Sequence, residues 1–141
     1  MKKQILIGAM ALLSLAACAG KKDLPCGKKV AETYRPVVFF AFDSAELTPQ
    51  AKMTLDQIAK HVGDCPHQKM RVIGYTDSTG SPEYNMKLGE ERAIAVQNYL
   101  LGMGFKPTQI EVISNGQHDP MATNATSVGR AENRRAVVKF Y

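Results

Sequence analysis

The sequence lacks the features of several common classes of protein. It has no long basic run and no stripe in which basic and aromatic residues alternate, and its formal net charge is only +5 over 141 residues. So mild a positive balance does not favour nucleic acid as a partner, because phosphate recognition requires clustered lysine and arginine. No arrangement of serine, histidine and aspartate stands out either, so we do not expect an enzyme.

Metal-ligating residues are also too few for a recognisable site. His61, Cys65 and His67 lie close together in the sequence, but no second cluster at the spacing of a known metal site accompanies them. Two solvated histidines at the end of a helix are the simpler interpretation. We therefore predict no metal and no cofactor.

A long apolar run of the kind that spans a membrane is missing too. The apolar stretch that opens the chain, from Ile5 to Leu13, is short and follows two lysines, which is typical of a signal peptide. The small residues before Cys18 resemble the bacterial lipobox. This resemblance implies a signal peptide over residues 1–17 and lipid on Cys18, and Ala19 resembles the residue that sorts lipoproteins to the outer membrane. We therefore expect a lipid anchor in the cell outer membrane and a domain in the periplasm.

The rest of the chain is long enough for one domain. Removing residues 1–17 from 141 leaves 124 residues. Residues 18–35 mix glycine and proline with several lysines and predict a lipidated tether, whereas residues 36–141 predict the folded domain. Cys26 and Cys65 form an even pair in a chain that enters an oxidising compartment, so we expect a disulfide between them.

Hydrophobic periodicity predicts strands that alternate with helices. Short apolar runs predict strands at residues 37–42, 70–75, 110–114 and 136–141. Cap residues and helical spacing predict one helix from Pro49 to about Gly63 and another from Pro82 to about Gly102. Residues 117–129 predict a long polar loop. The pattern as a whole indicates one small α/β domain with a single sheet.

Arg92 is the unusual residue of the second predicted helix. It lies four positions after Leu88 and four before Val96, so a guanidinium borders an apolar helical face. Such a group needs an acidic partner, and Asp77 follows the second predicted strand, where binding loops are placed. The two side chains either form an internal ion pair or jointly bind a zwitterion. Periodicity alone favours the internal ion pair.

Several short motifs follow one another along the domain in a fixed order. They are the strand at 37–42 with Asp43; Gly74, Tyr75, Thr76, Asp77 and Gly80; Asn85, Leu88, Arg92 and Ala93; Tyr99, Leu100 and Gly104; Asn115, Gly116 and Pro120; and Asn124, Gly129, Arg130, Ala131, Asn133, Arg134 and Arg135. At these spacings they resemble the OmpA-like C-terminal domain family, which includes the peptidoglycan-associated lipoproteins. The resemblance implies an α/β sandwich of order βαβαβ(α)β, with one mixed four-stranded sheet packed against helices.

The resemblance also implies a ligand, the diaminopimelate residue of the peptidoglycan stem peptide. Its free end carries an ammonium and a carboxylate. By motif, Asp77 would accept hydrogen bonds from the ammonium and Arg92 would hold the carboxylate in its two-pronged fork. The remaining pocket wall would consist of Phe42, Asp43, Asn85 and Leu88. Arg134 matches a family position close to the site, and bracing of the last loop is an equal alternative for it.

These inferences predict an outer-membrane lipoprotein that binds peptidoglycan non-covalently, links the outer membrane to the cell wall and supports envelope integrity. The alternative is an envelope interaction protein whose main partner is another protein. That partner would be the TolB-like β-propeller protein of the Tol system, or this protein would be an accessory piece of a secretion system or flagellar motor that uses the same wall-binding module. Genome neighbourhood would separate these alternatives.

Overall fold

The computed structural model describes residues 30–63 and 65–141. The predictions of a signal peptide over residues 1–17, of lipid on Cys18 and of a disulfide at Cys26 concern residues outside these ranges. Within the described ranges, no helix combines the length and the apolar character needed to cross a membrane.

A mixed four-stranded sheet forms the centre of the described structure. Its strands are β1 (Val37–Phe39), β2 (Met70–Tyr75), β3 (Ile110–Gly116) and β4 (Arg135–Phe140), and their order across the sheet is β1-β4-β2-β3. β4 runs antiparallel to both of its neighbours, β1 and β2, whereas β2 and β3 are parallel. The predicted mixed four-stranded sheet is confirmed. Because β1, β2 and β3 all run in one direction, their carboxyl ends meet at the same edge of the sheet.

The helices begin and end where local signals place them. The three helices among the described residues are α1 (Pro49–Val62), α2 (Pro82–Gly102) and α3 (Ser127–Asn133). The Thr48 hydroxyl caps α1 by accepting from the Ala51 N–H at 3.1 Å, and the Ser81 hydroxyl caps α2 in the same way. α1 gives way to Gly63, whose φ of 60° suits a residue without Cβ. Both long helices are confirmed.

The first strand is shorter than the prediction of residues 37–42. β1 ends at Phe39, because the chain then turns away from the sheet. The Ala41 carbonyl accepts a hydrogen bond from Arg92 instead of continuing the ladder. Asp43 takes a positive φ of 52°, which completes the turn. The apolar pattern therefore continues beyond the strand into a loop that belongs to the pocket described below.

The segment expected to be a loop, residues 117–129, runs into a helix. α3 occupies its last three residues and continues to Asn133, with the Thr126 hydroxyl accepting from the Gly129 N–H at 3.1 Å. Residue periodicity missed this helix because two turns carry too few apolar residues to show a period. The additional helix implied by the family resemblance is confirmed.

The core lies between one face of the sheet and helices α1 and α2. Its fully buried side chains include Leu55 and Ile58 from α1, Val96 and Leu100 from α2, and alternate residues of the central strands. α2 crosses β2 so closely that the backbones of Gly74 and Gly89 leave no space for a side chain between them. A Cβ on Gly74 would lie 2.6 Å from the carbonyl carbon of Gly89 and would overlap its oxygen. This contact fixes the first half of α2 beside the end of β2.

Candidate functional site

A pocket lies where β1 and β2 end and α2 begins. Its volume is about 240 Å³, enough for a small polar group and its carbon stem. Its lining contains all seven residues that sequence motifs assigned to ligand binding, namely Phe42, Asp43, Asp77, Asn85, Leu88, Arg92 and Arg134. Thr76, Thr79, Gly80 and Tyr84 complete the wall. Tertiary structure thus brings together residues that are as many as 92 positions apart.

Arg92 is the anchor of the pocket. Its side chain is 1% exposed, and each of its three nitrogens donates to a backbone carbonyl. Nε donates to Ser44 at 2.8 Å, Nη1 to Tyr75 at 2.9 Å and Nη2 to Ala41 at 3.2 Å. A guanidinium has five N–H groups, so one remains on each terminal nitrogen. Three carbonyls, two from the loop after β1 and one from the end of β2, therefore hold the fork rigid and leave two donors for a ligand.

The charge of Arg92 survives this burial. Desolvation lowers the pKa of Arg92 to about 10, and the neighbouring carboxylate of Asp77 acts in the opposite direction. The charge of Arg134 lowers this pKa further and that of Asp43 raises it. Because about 10 is still far above neutral pH, the guanidinium remains positive. Of the two alternatives for Arg92 and Asp77, the internal ion pair is not formed, since the three hydrogen bonds of Arg92 go to backbone carbonyls and the salt bridge of Asp77 is with Arg134.

Asp77 places a carboxylate opposite this cation. It is 4% exposed, and its Oδ1 accepts from the Thr79 N–H at 2.9 Å. Its Oδ2 forms a salt bridge with Arg134 Nη1 at 3.4 Å. A carboxylate has about four acceptor positions, so two hydrogen bonds leave capacity for a ligand donor. Asp77 is therefore oriented on both oxygens without being saturated.

Arg134 lies in the pocket lining, and it braces the chain after β1 instead of the last loop. Its Nη1 contacts Asp77 in the pocket, and its Nε donates to the Phe40 carbonyl at 3.1 Å. The second bond braces the chain where it leaves β1. Arg134 therefore supports the wall that carries Asp43 while contributing a positive charge to the lining.

The remaining predicted residues form the rim and the floor. Asn85 is 1% exposed and donates to Gln117 Oε1 at 2.9 Å, and Leu88 is buried beside it. Phe42 is 64% exposed at the mouth of the pocket. The Tyr84 hydroxyl donates to the Asp43 carboxylate and so joins the two sides of the rim. Sequence motifs did not assign Tyr84 to the site, because only the folded chain brings it across from Asp43.

A second layer of amides positions the Asp77 loop. The fully buried Asn133 accepts from the N–H groups of Met121 and Ala122 and donates to Asn124 Oδ1 at 2.9 Å. Asn124 Oδ1 also accepts from the Ser78 N–H at 3.3 Å. The loop after β3 is thereby tied to the residue that follows Asp77. The motif comparison included Asn124 and Asn133 but gave them no role.

The lining of the pocket includes none of the described cysteine and histidine residues. Cys65 is disulfide-bonded. Its expected partner, Cys26, is outside the described part of the chain, so this pairing stays a prediction. In residues 30–63 and 65–141, no group of three His, Cys, Asp or Glu side chains is arranged to hold a metal.

The arrangement of pocket, sheet and helices matches a known family. The sequence model of the OmpA family matches residues 39–134, a range that runs from β1 to the Arg134 side chain of the pocket. The chain belongs to the OmpA family. Every residue that lines the pocket falls within the matched range, so the site is part of the family domain.

Relatives within the OmpA family include peptidoglycan-associated lipoproteins. That of Pseudomonas aeruginosa is 44% identical over 103 residues, which cover 72% of this chain and 60% of the relative. That of Haemophilus influenzae is 32% identical over 146 residues, which cover 96% of this chain and 95% of the relative. The chain thus spans about three-fifths of the first relative and nearly all of the second.

A solved structure agrees with the fold. The peptidoglycan-associated lipoprotein of Burkholderia pseudomallei superposes with a TM-score of 0.71 and is 31% identical. The match covers 86% of this chain and 98% of that one. The α/β sandwich of the OmpA family, with one mixed sheet and three helices in the described residues, is therefore confirmed.

Proposed function

We propose that this protein is an outer-membrane lipoprotein that binds peptidoglycan non-covalently through the diaminopimelate of the stem peptide. The observation that carries the proposal is the charge pattern of the pocket, in which two carboxylates, Asp43 and Asp77, lie with two guanidiniums, Arg92 and Arg134. A ligand with one ammonium and one carboxylate complements this pattern. The names of the relatives, which associate them with peptidoglycan, support the same ligand class.

The binding mode follows from the donors and acceptors that remain available. The ligand carboxylate accepts from the two free N–H groups of Arg92, and the ligand ammonium donates to the open positions of the Asp77 carboxylate. The carbon stem between stem peptide and charged end lies against Leu88 and Phe42. No group needs to change protonation or form a covalent bond, so we propose a reversible clamp without catalysis.

The clamp should be of modest strength at each site. Hydrogen bonds to charged groups contribute about 1.5–3 kcal/mol each, and part of this offsets the ordering of a flexible glycan. Confinement to a membrane plane beside a polymer with many stems raises the overall strength without new contacts. Many weak and reversible attachments suit a link to a wall that is continually remodelled.

We further propose that residues 1–17 are a signal peptide, that lipid on Cys18 anchors the protein and that residues 36–141 form the wall-binding domain. Contacts with this domain begin earlier, since the Val30 N–H donates to Gln68 Oε1 at 3.0 Å. The proposed tether therefore extends at most over residues 18–29, which would reach about 40 Å when fully extended, and less with Cys26 bonded to Cys65.

Co-sedimentation tests the clamp. Residues 19–141, which contain every described element, are mixed with purified diaminopimelate-type peptidoglycan and pelleted. Asp77→Asn keeps an acceptor for the Thr79 N–H but removes the charge that holds the ammonium. We expect it to weaken pelleting about 10- to 100-fold, the loss of one charged hydrogen bond. Glu111→Gln is the matched control, because Glu111 also forms one salt bridge with an arginine, at the other end of the sheet.

Two further pelleting experiments test the identity of the ligand. Free diaminopimelate should compete with pelleting, and lysine-type peptidoglycan should bind more weakly because its stem lacks the carboxylate for Arg92. Equal pelleting of Asp77→Asn and wild type would reject the proposed clamp. If the wild type itself did not pellet, a protein of the envelope would become the main candidate partner.

The anchor is tested separately in cells. Cys18→Ser in the full chain should move the protein from the membrane fraction to the soluble periplasmic fraction, because the lipid attachment atom is lost. Retention of this variant in the membrane fraction would reject the lipid anchor and leave the clamp untouched.

A further inference from the structure

A second cleft lies at the end of the sheet opposite the pocket. We call it the basal cleft. It has a volume of about 300 Å³ and is lined by Glu32, Arg35, Arg71, Lys139, Phe140 and Tyr141. Its lining combines three cations with an aromatic edge, and Glu32 supplies its one side-chain carboxylate. Phe140 belongs to the core, but neither the core nor the proposed clamp explains why the charged residues lie together here.

The register of the sheet fixes the position of the basal cleft. Arg71 is the second residue of β2, and Lys139 pairs with it on β4. Asp77 follows the other end of β2. A strand of six residues is about 20 Å long, so the basal cleft and the pocket are separated by about the length of the sheet.

The cations of the basal cleft are only partly neutralised. Arg71 forms a salt bridge with Glu111 at 2.8 Å and lies 5.3 Å from the centre of the Tyr141 ring. Arg35 is exposed, and its Nε donates to the backbone carbonyl of Glu32 at 3.2 Å instead of to a carboxylate. Lys139 lies half-buried between them.

One more cation, Lys69, adjoins the basal cleft. It is exposed, and its ammonium donates to the Thr108 carbonyl at 2.8 Å. With Lys69 included, the end of the sheet offers four cations, Arg35, Lys69, Arg71 and Lys139, against the side-chain carboxylates of Glu32 and Glu111 and the terminal carboxylate of Tyr141, an excess of one positive charge. The surface is therefore suited to anions.

The chain reaches the domain at this same end. Val30 is bonded to Gln68, two residues before β2 begins. The sequence that precedes Val30 carries four lysines, Lys21, Lys22, Lys28 and Lys29, against one aspartate, Asp23. The positive charge of the basal cleft therefore continues along the chain in the direction of Cys18.

We infer that the basal cleft binds the anionic phospholipid headgroups of the membrane that carries the lipid anchor. The direction of the tether rests on the proposed function, whereas the cleft and its charges do not. Arginine and lysine interact with lipid phosphates, and Tyr141, which is 43% exposed, suits a position at the membrane interface. Contact at this end points the opposite end, with its pocket, away from the bilayer. The domain would thus be held with its clamp facing the cell wall.

Vesicle binding of residues 19–141 tests the inference, because this chain lacks Cys18 and cannot be held by lipid. Sedimentation is measured with phosphatidylcholine vesicles and with mixed vesicles of phosphatidylglycerol and phosphatidylcholine near physiological ionic strength. The double variant Arg35→Gln with Lys139→Gln is compared with the control Lys52→Gln with Lys87→Gln. The control removes the same charge from exposed positions near the pocket ends of α1 and α2.

We expect the wild type and the control to bind the mixed vesicles and not the phosphatidylcholine vesicles. The basal-cleft variant should bind the mixed vesicles about 10- to 30-fold more weakly, the effect of two cations near an anionic surface. All variants share the lysines before residue 30, so the difference reports the cleft alone. The basal-cleft variant should still pellet with peptidoglycan, which separates this result from the test of the clamp.

Three outcomes would overturn the inference. Equal vesicle binding by wild type and basal-cleft variant would show that the cleft makes no contact with lipid. An equal loss in the control would assign the effect to net charge. Binding of inorganic phosphate in a titration, without any binding to mixed vesicles, would assign the cleft to a free anion.

Discussion

Gly74→Ala tests the contact on which the pocket depends. The new Cβ would lie 2.6 Å from the carbonyl carbon of Gly89, whereas carbon atoms in contact prefer about 3.5–4.0 Å. The Gly89 carbonyl oxygen overlaps the new Cβ more closely still, so the helix must move away from β2 by more than about 1 Å. The new Cβ would meet backbone atoms of Gly89 and no side chain, so no side-chain rotation relieves the overlap. Overpacking costs about 1–3 kcal/mol, and we expect the upper end of this range.

The same displacement should weaken ligand binding. The Tyr75 carbonyl, one residue after Gly74, accepts from Arg92 at 2.9 Å, and a shift of about 1 Å takes this bond beyond hydrogen-bond range. Gly74→Ala should therefore lower both the free energy of unfolding and the fraction that pellets with peptidoglycan.

Thermal and denaturant unfolding of residues 19–141 measure the first effect. A loss of about 3 kcal/mol corresponds to a fall in Tm of about 12 °C for a domain of this size. Gly102→Ala is the control, because a Cβ at Gly102, in the last turn of α2, would meet nothing within 4 Å. That variant should be as stable as the wild type or slightly more stable. Unfolding of Gly74→Ala within about 1 kcal/mol of the wild type would refute the close helix-to-strand contact.

Three other predictions concern single side chains. Arg92→Ala should lower the free energy of unfolding by about 3 kcal/mol, because three carbonyls lose their donor. Arg71→Ala should leave this free energy nearly unchanged, and denaturant titration of both variants checks the difference. Since the pKa of Arg92 is lowered only to about 10, its guanidinium stays charged near neutral pH. Wall binding should therefore vary less than about twofold between roughly pH 6 and pH 8 and should fall as the pH passes about 10. Pelleting across pH measures this, and a transition near neutral pH would contradict it. Cys26→Ser should expose a reactive thiol at Cys65 and destabilise the domain by about 4 kcal/mol, the entropy of the opened loop, which thiol titration and unfolding both measure.

Much of the fold followed from local sequence signals. Pro49 and Pro82 each follow a hydroxyl residue that caps a helix, and the structure begins α1 and α2 at these prolines. The strand at residues 70–75 was predicted with its observed bounds, because it is a short apolar run with polar segments on both sides. The weaker predictions had two different causes. β1 ends early because the chain leaves the sheet to contact Arg92, far along the sequence, whereas α3 was missed because its two turns carry too few apolar residues to show a period.

The site shows the same division. The resemblance to the family named all seven predicted lining residues, because each stands at a position of the family's motifs. It did not identify the hydrogen-bond partners of Arg92, for which periodicity favoured Asp77. The partners are the carbonyls of Ala41, Ser44 and Tyr75. A carbonyl is present at every residue, so sequence carries no signal of which ones a guanidinium will reach.

The sequence by itself determined the order of helices and strands, the family and the residue types that line the pocket, because these depend on periodicity, caps and motif spacing along the chain. Only the tertiary structure decided which charges meet. It placed Arg134 on Asp77, held Arg92 on three backbone carbonyls and brought Arg35, Arg71 and Lys139 together at the opposite end of the sheet. The physical reason is that strand register and the Gly74–Gly89 contact set distances between residues far apart in sequence, and hydrogen bonds and charge interactions depend on those distances.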